Sequence, residues 1–200
     1  MKTDWKDGFL FLGNQLALDF LNTRPVQDGE AQELLPDFEA LLRWFRAAEL
    51  LSNQNVSALQ SRSARARHVL EELRRFREDL RKELLSLEAG ADLHRTTVDK
   101  LNALLATHPM IATVKQTEKG LHMGLSFVAN KPEDLFAPLA QAAAELFARA
   151  DRSRLRKCGH CVLHFLDTSK KGTRRWCSMQ LCGNRLKVAA YAHRKRRAGE

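Results

Sequence analysis

The hydrophobic and polar positions along the chain predict helices over most of the first 150 residues. In each helical stretch, large apolar residues recur every three or four positions with charged residues between them, which is the spacing of an amphipathic helix. The first stretch, 13–24, is short, has Asn14 as its expected N-cap and is followed by Pro25. The longer predicted helices are 36–51, which Asp37 caps, and then 56–88, 97–107 and 134–150.

The period of the pattern changes to two between residues 110 and 129, which indicates strands. Residues 110–116 and 121–129 alternate in polarity and flank the turn sequence Thr-Glu-Lys-Gly at 117–120. A β-hairpin is therefore expected there. The predicted fold class is mainly α with a small β-hairpin.

Net charge and cysteine content both change near Asp151. The last fifty residues carry 14 Lys and Arg against 3 Asp and Glu, a net charge of +11, whereas the first 150 carry 19 against 21, a net charge of −2. All four cysteines also lie in the last fifty residues. We therefore predict two domains, a helical one over residues 1–150, serving as a sensor or dimerisation unit, and a small basic one over residues 151–200.

The distribution of apolar residues also indicates the cellular compartment of the protein. No window of eighteen apolar residues occurs, so no membrane span is expected. The opening sequence MKTDWKDG carries charges of both signs and lacks the apolar stretch of a signal peptide. These features predict a cytoplasmic protein, in which disulfides are rare and the cysteines need another explanation.

The cysteine spacing is C-x2-C, fifteen residues, then C-x4-C, and the four residues are Cys158, Cys161, Cys177 and Cys182. Zinc favours four thiolates at the corners of a tetrahedron, and two such pairs can converge on one ion. We predict one structural Zn²⁺, in a closed site without metal catalysis. Four unrelated buried cysteines, a redox pair, an iron–sulfur cluster, and His160 or His164 as a substitute ligand are the alternatives.

The residues between and after the cysteines predict a treble-clef-like zinc finger. Residues 162–166 are expected to form a strand, 169–172 a turn and 173–176 the return strand, and a helix is expected after Cys182. So small a module has few apolar residues for a core. Metal binding, worth an apparent ~10–16 kcal/mol in zinc-finger peptides, is expected to supply the missing stability.

Two stretches of the chain resemble known families. Residues 154–197 contain Cys-Gly-Asn-Arg at 182–185 and RRWC at 174–177, and they resemble the CGNR zinc finger. The sequence LALDFLNTR at 16–24 is similar to the opening of the ABATE domain, which is associated with stress-induced regulation of transcription. Together these resemblances imply a bacterial two-domain transcription regulator involved in a stress response.

A basic module of this kind is expected to bind nucleic acid. A cationic stripe with one aromatic side chain suits a phosphate backbone and gives salt-sensitive binding. The residues predicted to contact nucleic acid are Arg174, Arg175, Arg185, Lys187, Tyr191, Arg194 and Lys195. DNA is favoured over RNA, and a zinc-stabilised protein-interaction module is the other alternative. For Trp176, packing over the zinc is favoured over stacking on bases.

Polar residues at the end of the first predicted helix suggest a ligand pocket for a small-molecule effector. They are Asp19, Asn22, Thr23 and Arg24, and the alternative is that they cap the helix and satisfy buried backbone groups. The chain has no nucleophile elbow, P-loop, dinucleotide or metalloprotease motif. We therefore expect no enzyme activity, and a homodimer is compatible with the helical domain.

Overall fold

The computed structural model describes residues 5–27, 30–60, 63–118 and 120–183. Half of these residues are helical, which confirms the predicted fold class. The described residues form two compact units. The finger unit combines the segment up to Glu33 with the segment from Ala150 onward, and the helical unit comprises Leu34–Arg149. The charge change near Asp151 lies beside one unit boundary, whereas the boundary after Glu33 has no counterpart in the charge pattern.

The N-terminal segment of the finger unit contains short elements only. They are β1 (Trp5–Lys6), β2 (Phe9–Leu10), α1 (Leu16–Leu21), β3 (Val26–Gln27) and β4 (Glu30–Ala31). Strand β1 pairs antiparallel with β2, and β3 pairs antiparallel with β4. The predicted helix is present, but Asn14 does not cap it. Gln15 does so, because its side-chain oxygen accepts from the N–H groups of Ala17 and Leu18.

The helical unit contains the helices that the pattern predicted between residues 36 and 150, and the helix predicted after Cys182 lies outside the described residues. Its elements are α2 (Phe38–Ala47), α3 (Asn53–Gln60), α4 (Ser63–Glu88), α5 (Arg95–Thr107), β5 (Ile111–Thr117), β6 (Gly120–Ser126) and α6 (Phe136–Arg149). Asp37 caps α2 as predicted, with its Oδ1 2.7 Å from the Ala40 nitrogen. The stretch predicted as one helix over 56–88 is described as α3 and α4. The predicted hairpin is confirmed as the antiparallel pair β5–β6.

The core of the helical unit follows from the amphipathic faces of these helices. One face of α2 is fully buried, with Leu41, Trp44 and Phe45 each at zero exposure, and Leu73 of α4 is buried as well. The carboxylate of Glu83 accepts from the His94 N–H and the Thr97 hydroxyl, at 2.8 and 2.7 Å, and so fixes the start of α5. No helix among the described residues is long and apolar enough to cross a membrane.

The C-terminal part of the finger unit contains β7 (Leu155–Lys157) and β8 (His164–Leu166). They pair antiparallel across the Cys158–Cys161 turn. The predicted pairing of 162–166 with a return strand at 173–176 is wrong, since 173–176 form no strand. The physical reason is that the second edge of β8 is already occupied: the Leu166 N–H donates to the Gly13 carbonyl at 2.8 Å.

Candidate metal centre

The four cysteine sulfurs lie together, and their ligand atoms are all within 4.8 Å of one another. The Cys177 Sγ is 3.3 Å from the Cys161 Sγ and 3.6 Å from the Cys182 Sγ. A tetrahedral zinc site with Zn–S bonds of about 2.3 Å has sulfur–sulfur edges of about 3.8 Å. The spacing of the sulfurs therefore matches the edges of such a tetrahedron. Three of these cysteines are buried and Cys161 is partly exposed.

The first cysteine pair lies on the turn that joins β7 to β8. The Cys158 N–H donates to the Leu163 carbonyl at 2.8 Å, which closes the turn and directs both sulfurs to the same side. Val162, directly after Cys161, has a φ of 56°. This left-handed conformation is unfavourable for a β-branched residue, so the turn holds Val162 there against its backbone preference.

The second cysteine pair lies on a single tight turn. Residues Met179–Gly183 form one π-helical turn, and the Cys182 and Gly183 N–H groups both donate to the Ser178 carbonyl. The Ser178 hydroxyl accepts from the Gln180 N–H at 3.1 Å and caps the turn. This geometry accommodates the four-residue spacing between Cys177 and Cys182 with both sulfurs on one side.

Asp167 and Arg174 connect the two cysteine pairs. The buried Asp167 carboxylate accepts from the Ser169 and Arg174 N–H groups, at 2.9 and 2.8 Å. A hydrogen bond from the Ser169 side chain, followed by these two backbone bonds, lowers the pKa of Asp167 to about 2. The Arg174 guanidinium in turn donates to the carbonyls of Trp176 and Cys177. Asp167 thereby orders the loop that delivers Cys177 to the first cysteine pair.

The donor set fits zinc. Sulfur ligands in a C4 arrangement select Zn²⁺ or an iron–sulfur cluster, and a closed tetrahedron of single sulfurs is the structural zinc geometry. Burial raises the pKa of Cys182 to about 12, so this thiol stays neutral at physiological pH unless a cation compensates its charge. The four cysteines can therefore hold one zinc ion, whose charge would stabilise the thiolates.

The N-terminal segment completes the unit around these cysteines, which the sequence did not predict. Leu10 and Leu12 belong to the same buried cluster as the four cysteines and Phe165. The Asn22 side chain binds both backbone groups of His164, donating to its carbonyl at 2.8 Å and accepting from its N–H at 3.0 Å. Asn14 donates to the Leu166 carbonyl at 2.8 Å. The segment thus satisfies backbone groups on the edge of β8 that β7 leaves free.

Gly13 is required for this arrangement because α1 approaches it closely. A Cβ at Gly13 would lie 2.7 Å from the Leu18 Cβ and 2.9 Å from the Asp19 nitrogen. One feature of the sequence indicates that this segment packs against backbone: Asp19 interrupts the otherwise apolar helix α1, and Asn22 follows it directly. Polar residues on a buried helix usually bind backbone groups.

Three of the four residues predicted to line a ligand pocket bind backbone groups in the structure. The Asp19 carboxylate accepts from the Gly13 N–H at 2.7 Å, and the Thr23 hydroxyl donates to the Phe20 carbonyl at 2.6 Å. Asn22 binds β8 as described, and Arg24 is exposed. The contacts of Asp19, Asn22 and Thr23 are those of the alternative, in which these residues satisfy backbone groups.

Asp19→Asn is expected to raise the stability of the protein at neutral pH above that of the wild type. Burial raises the pKa of Asp19 from 3.8 to about 6, so the folded state binds this proton more tightly than the unfolded chain. Stability is therefore lost as pH rises through this interval. Asp19→Asn keeps an oxygen for the Gly13 N–H and removes the titration, for a gain of roughly 2–3 kcal/mol at pH 7.5.

Urea unfolding at pH 5 and pH 7.5 measures this effect as the difference between variant and wild type. The gain is expected to be about half as large at pH 5. Acid-induced zinc loss affects both proteins and cancels in the difference. A gain that does not change with pH would show that Asp19 does not titrate in this range.

The seven predicted nucleic-acid contacts divide between the described and the undescribed residues. Arg174 is half-buried, and its guanidinium lies 4.6 Å above the Phe165 ring and donates to the carbonyls named above. Arg175 is exposed, with its guanidinium 5.2 Å from the Trp176 ring centre. Trp176 packs against the cysteine cluster, as favoured. The other five lie outside the described residues: Arg185, Lys187, Tyr191, Arg194 and Lys195.

The fold and the four-cysteine site define a zinc-finger protein that also carries a helical unit. Two family models match the chain: ABATE, described as "Putative stress-induced transcription regulator", over residues 14–150, and the CGNR zinc finger over residues 154–195. The chain belongs to the ABATE family, because that match covers more than half of it. Both resemblances noted in the sequence are thereby confirmed. No curated protein matches the chain.

Proposed function

We propose that this protein is a cytoplasmic DNA-binding regulator of transcription, in which zinc shapes a basic surface that contacts the phosphate backbone. The helical unit is the sensor or dimerisation part, and a small-molecule effector is its proposed signal. The family description supports regulation of transcription. Neither unit is assigned a catalytic step, and the metal is structural.

The proposal depends on one observation: the finger unit has an excess of Lys and Arg, and five of these side chains are exposed while three bind backbone carbonyls of the unit. Between Asp151 and Gly183 the chain has eight Lys and Arg but only two acidic residues, of which Asp167 is buried. Three arginines donate to backbone carbonyls of the unit: Arg154, Arg156 and Arg174. The exposed cations are Arg152, Lys157, Lys170, Lys171 and Arg175. An excess of exposed positive charge on a rigid scaffold favours a polyanionic partner.

Lys170 and Lys171 offer the most direct test, because they are adjacent, exposed and lie in the loop that Asp167 orders. Each phosphate contact contributes about 0.9 to the slope of log K against log salt concentration. Lys170→Gln with Lys171→Gln is therefore expected to reduce that slope by up to about 2. Fluorescence anisotropy with random-sequence duplex DNA at several salt concentrations measures it.

Lys82→Gln is the matched control, since Lys82 is an exposed lysine of α4 in the nearly neutral helical unit. It should leave the salt slope unchanged. An equal effect of the control and the double variant, or no salt-dependent binding by the wild-type protein, would contradict the proposal and favour a protein-interaction module. Competition between duplex DNA and structured RNA distinguishes the two nucleic acids, and preference for RNA would overturn the choice of DNA.

A further inference from the structure

The hairpin β5–β6 carries most of the exposed large apolar side chains of the described residues. Six of the eleven lie between positions 111 and 128, although this stretch makes up a small part of the chain: Ile111, Val114, Leu121, Met123, Leu125 and Val128. Monomeric proteins rarely expose apolar side chains in such a concentration, and where they do the patch usually marks an interaction site.

The register of the hairpin places four of these side chains on one face. The cross-strand pairs Ala112–Leu125, Val114–Met123 and Gln116–Leu121 share that face. The exposed fractions are 64% for Val114, 76% for Leu121, 73% for Met123 and 50% for Leu125. This apolar face contains no charged residue.

The opposite face of the hairpin is mostly polar. It carries Thr113, Lys115 and Thr117 on β5, opposite Gly124, His122 and Gly120 on β6, and its one large apolar side chain is that of Ile111, opposite Ser126 at the hairpin's open end. An antiparallel sheet with one apolar and one polar face is the pattern of a sheet that is covered on its apolar side. Two strands alone are also only marginally stable in water, so a second layer is expected to stabilise the hairpin.

We propose that a second copy of this chain covers the apolar face, with the two hairpins packed face to face across a two-fold axis near the Val114–Met123 pair. In such an isologous contact the same patch serves both copies. Because the face is uncharged, the two-fold brings no like charges together, and it offers an acidic or basic partner nothing to pair with. Four large apolar side chains per copy make a small interface, so a weak dimer whose population depends on protein concentration is expected. This inference does not depend on nucleic-acid binding.

The full-length zinc-loaded protein is to be studied by analytical ultracentrifugation over a concentration series. The wild-type protein should dimerise, and Met123→Lys should weaken the dimer by roughly 100-fold or more, because two ammonium groups would face each other at the axis. Ile111→Lys is the matched control, since Ile111 is 50% exposed and lies on the opposite face. It should leave dimerisation unchanged. Circular dichroism verifies that each variant is folded.

A charge-swap experiment distinguishes a second copy from any other occupant. Met123→Glu should be monomeric on its own, as Met123→Lys is, whereas an equimolar mixture of the two should dimerise because opposite charges then meet across the axis. A monomeric wild-type protein, a Met123→Lys variant that still dimerises, or a mixture that stays monomeric would each overturn the proposal.

Discussion

Cys177→Ser is expected to abolish zinc binding and to unfold the finger unit. Cys177 is fully buried, and its sulfur lies 3.3 Å from the Cys161 Sγ and 3.6 Å from the Cys182 Sγ. A serine hydroxyl is a poor zinc ligand at neutral pH, and binding of a structural zinc ion is folding free energy. Four of the ten residues in the apolar cluster of the finger unit are the cysteines themselves, so without the metal much of this small core loses its cohesion.

Two measurements check this expectation. Metal analysis should give one zinc per chain for the wild-type protein and none for the variant. Hydrogen exchange should show lost protection in β7 and β8 of the variant and unchanged protection in α2 and α4, because the helical unit has its own core. Gln180→Ser, an exposed change in the same turn, is the control and should retain the zinc. Full zinc retention by Cys177→Ser would refute the role assigned to this cysteine.

The zinc site could be predicted because its ligands are close together in the sequence. All four cysteines lie within twenty-five residues, and the metal imposes a known geometry on them. The helices of the helical unit were predictable for a similar reason: periodicity and caps such as Asp37 are local properties of the sequence. The alternation in 110–129 likewise indicated β5 and β6 correctly.

The contacts between the N-terminal segment and β8 could not be predicted, because they join residues that are 142 and 152 positions apart in the sequence. Asn22 and Asn14 bind the strand through side-chain amides, and such bonds leave no periodic pattern in the sequence. Glu83 is a similar case, since its carboxylate fixes the start of a different helix eleven residues later. Side-chain bonds to a distant backbone depend on the tertiary fold, which a local pattern does not contain.

The roles of neighbouring arginines were also beyond local analysis. Arg174 and Arg175 are adjacent and identical in type, yet Arg174 donates to the carbonyls of Trp176 and Cys177 while Arg175 is exposed. Alternation along an extended segment places them on opposite sides. Arg174 is the internal one of the two arginines because its side chain lies on the side of the Cys177 carbonyl, and this position depends on the tertiary fold. A count of positive charges therefore overestimates the surface that remains for a polyanion.

Asn22→Ala is expected to destabilise the finger unit by about 2–5 kcal/mol, because two buried backbone groups of His164 would lose their partners at about 1–3 kcal/mol each. Asn22 is 1% exposed, and its amide is the group that pairs with the inner part of β8. Asn14→Gly is the matched control, since Asn14 is also an asparagine bound to a β8 carbonyl but is exposed, and glycine tolerates its φ of 55°. Water can replace that bond, so a loss below about 1 kcal/mol is expected.

Urea unfolding of the zinc-loaded proteins gives both free energies, and hydrogen exchange of the His164 amide locates the change. Asn22→Asp adds a third comparison, because aspartate still accepts from the His164 N–H but places an acceptor against the His164 carbonyl. Its loss should be at least as large as that of Asn22→Ala, since a buried carboxylate facing a carbonyl oxygen is repelled. Equal effects of Asn22→Ala and Asn14→Gly would contradict the role of Asn22 as the buried partner of the β8 backbone. A loss confined to Asn22 would mean that the zinc finger folds only together with residues at the other end of the chain.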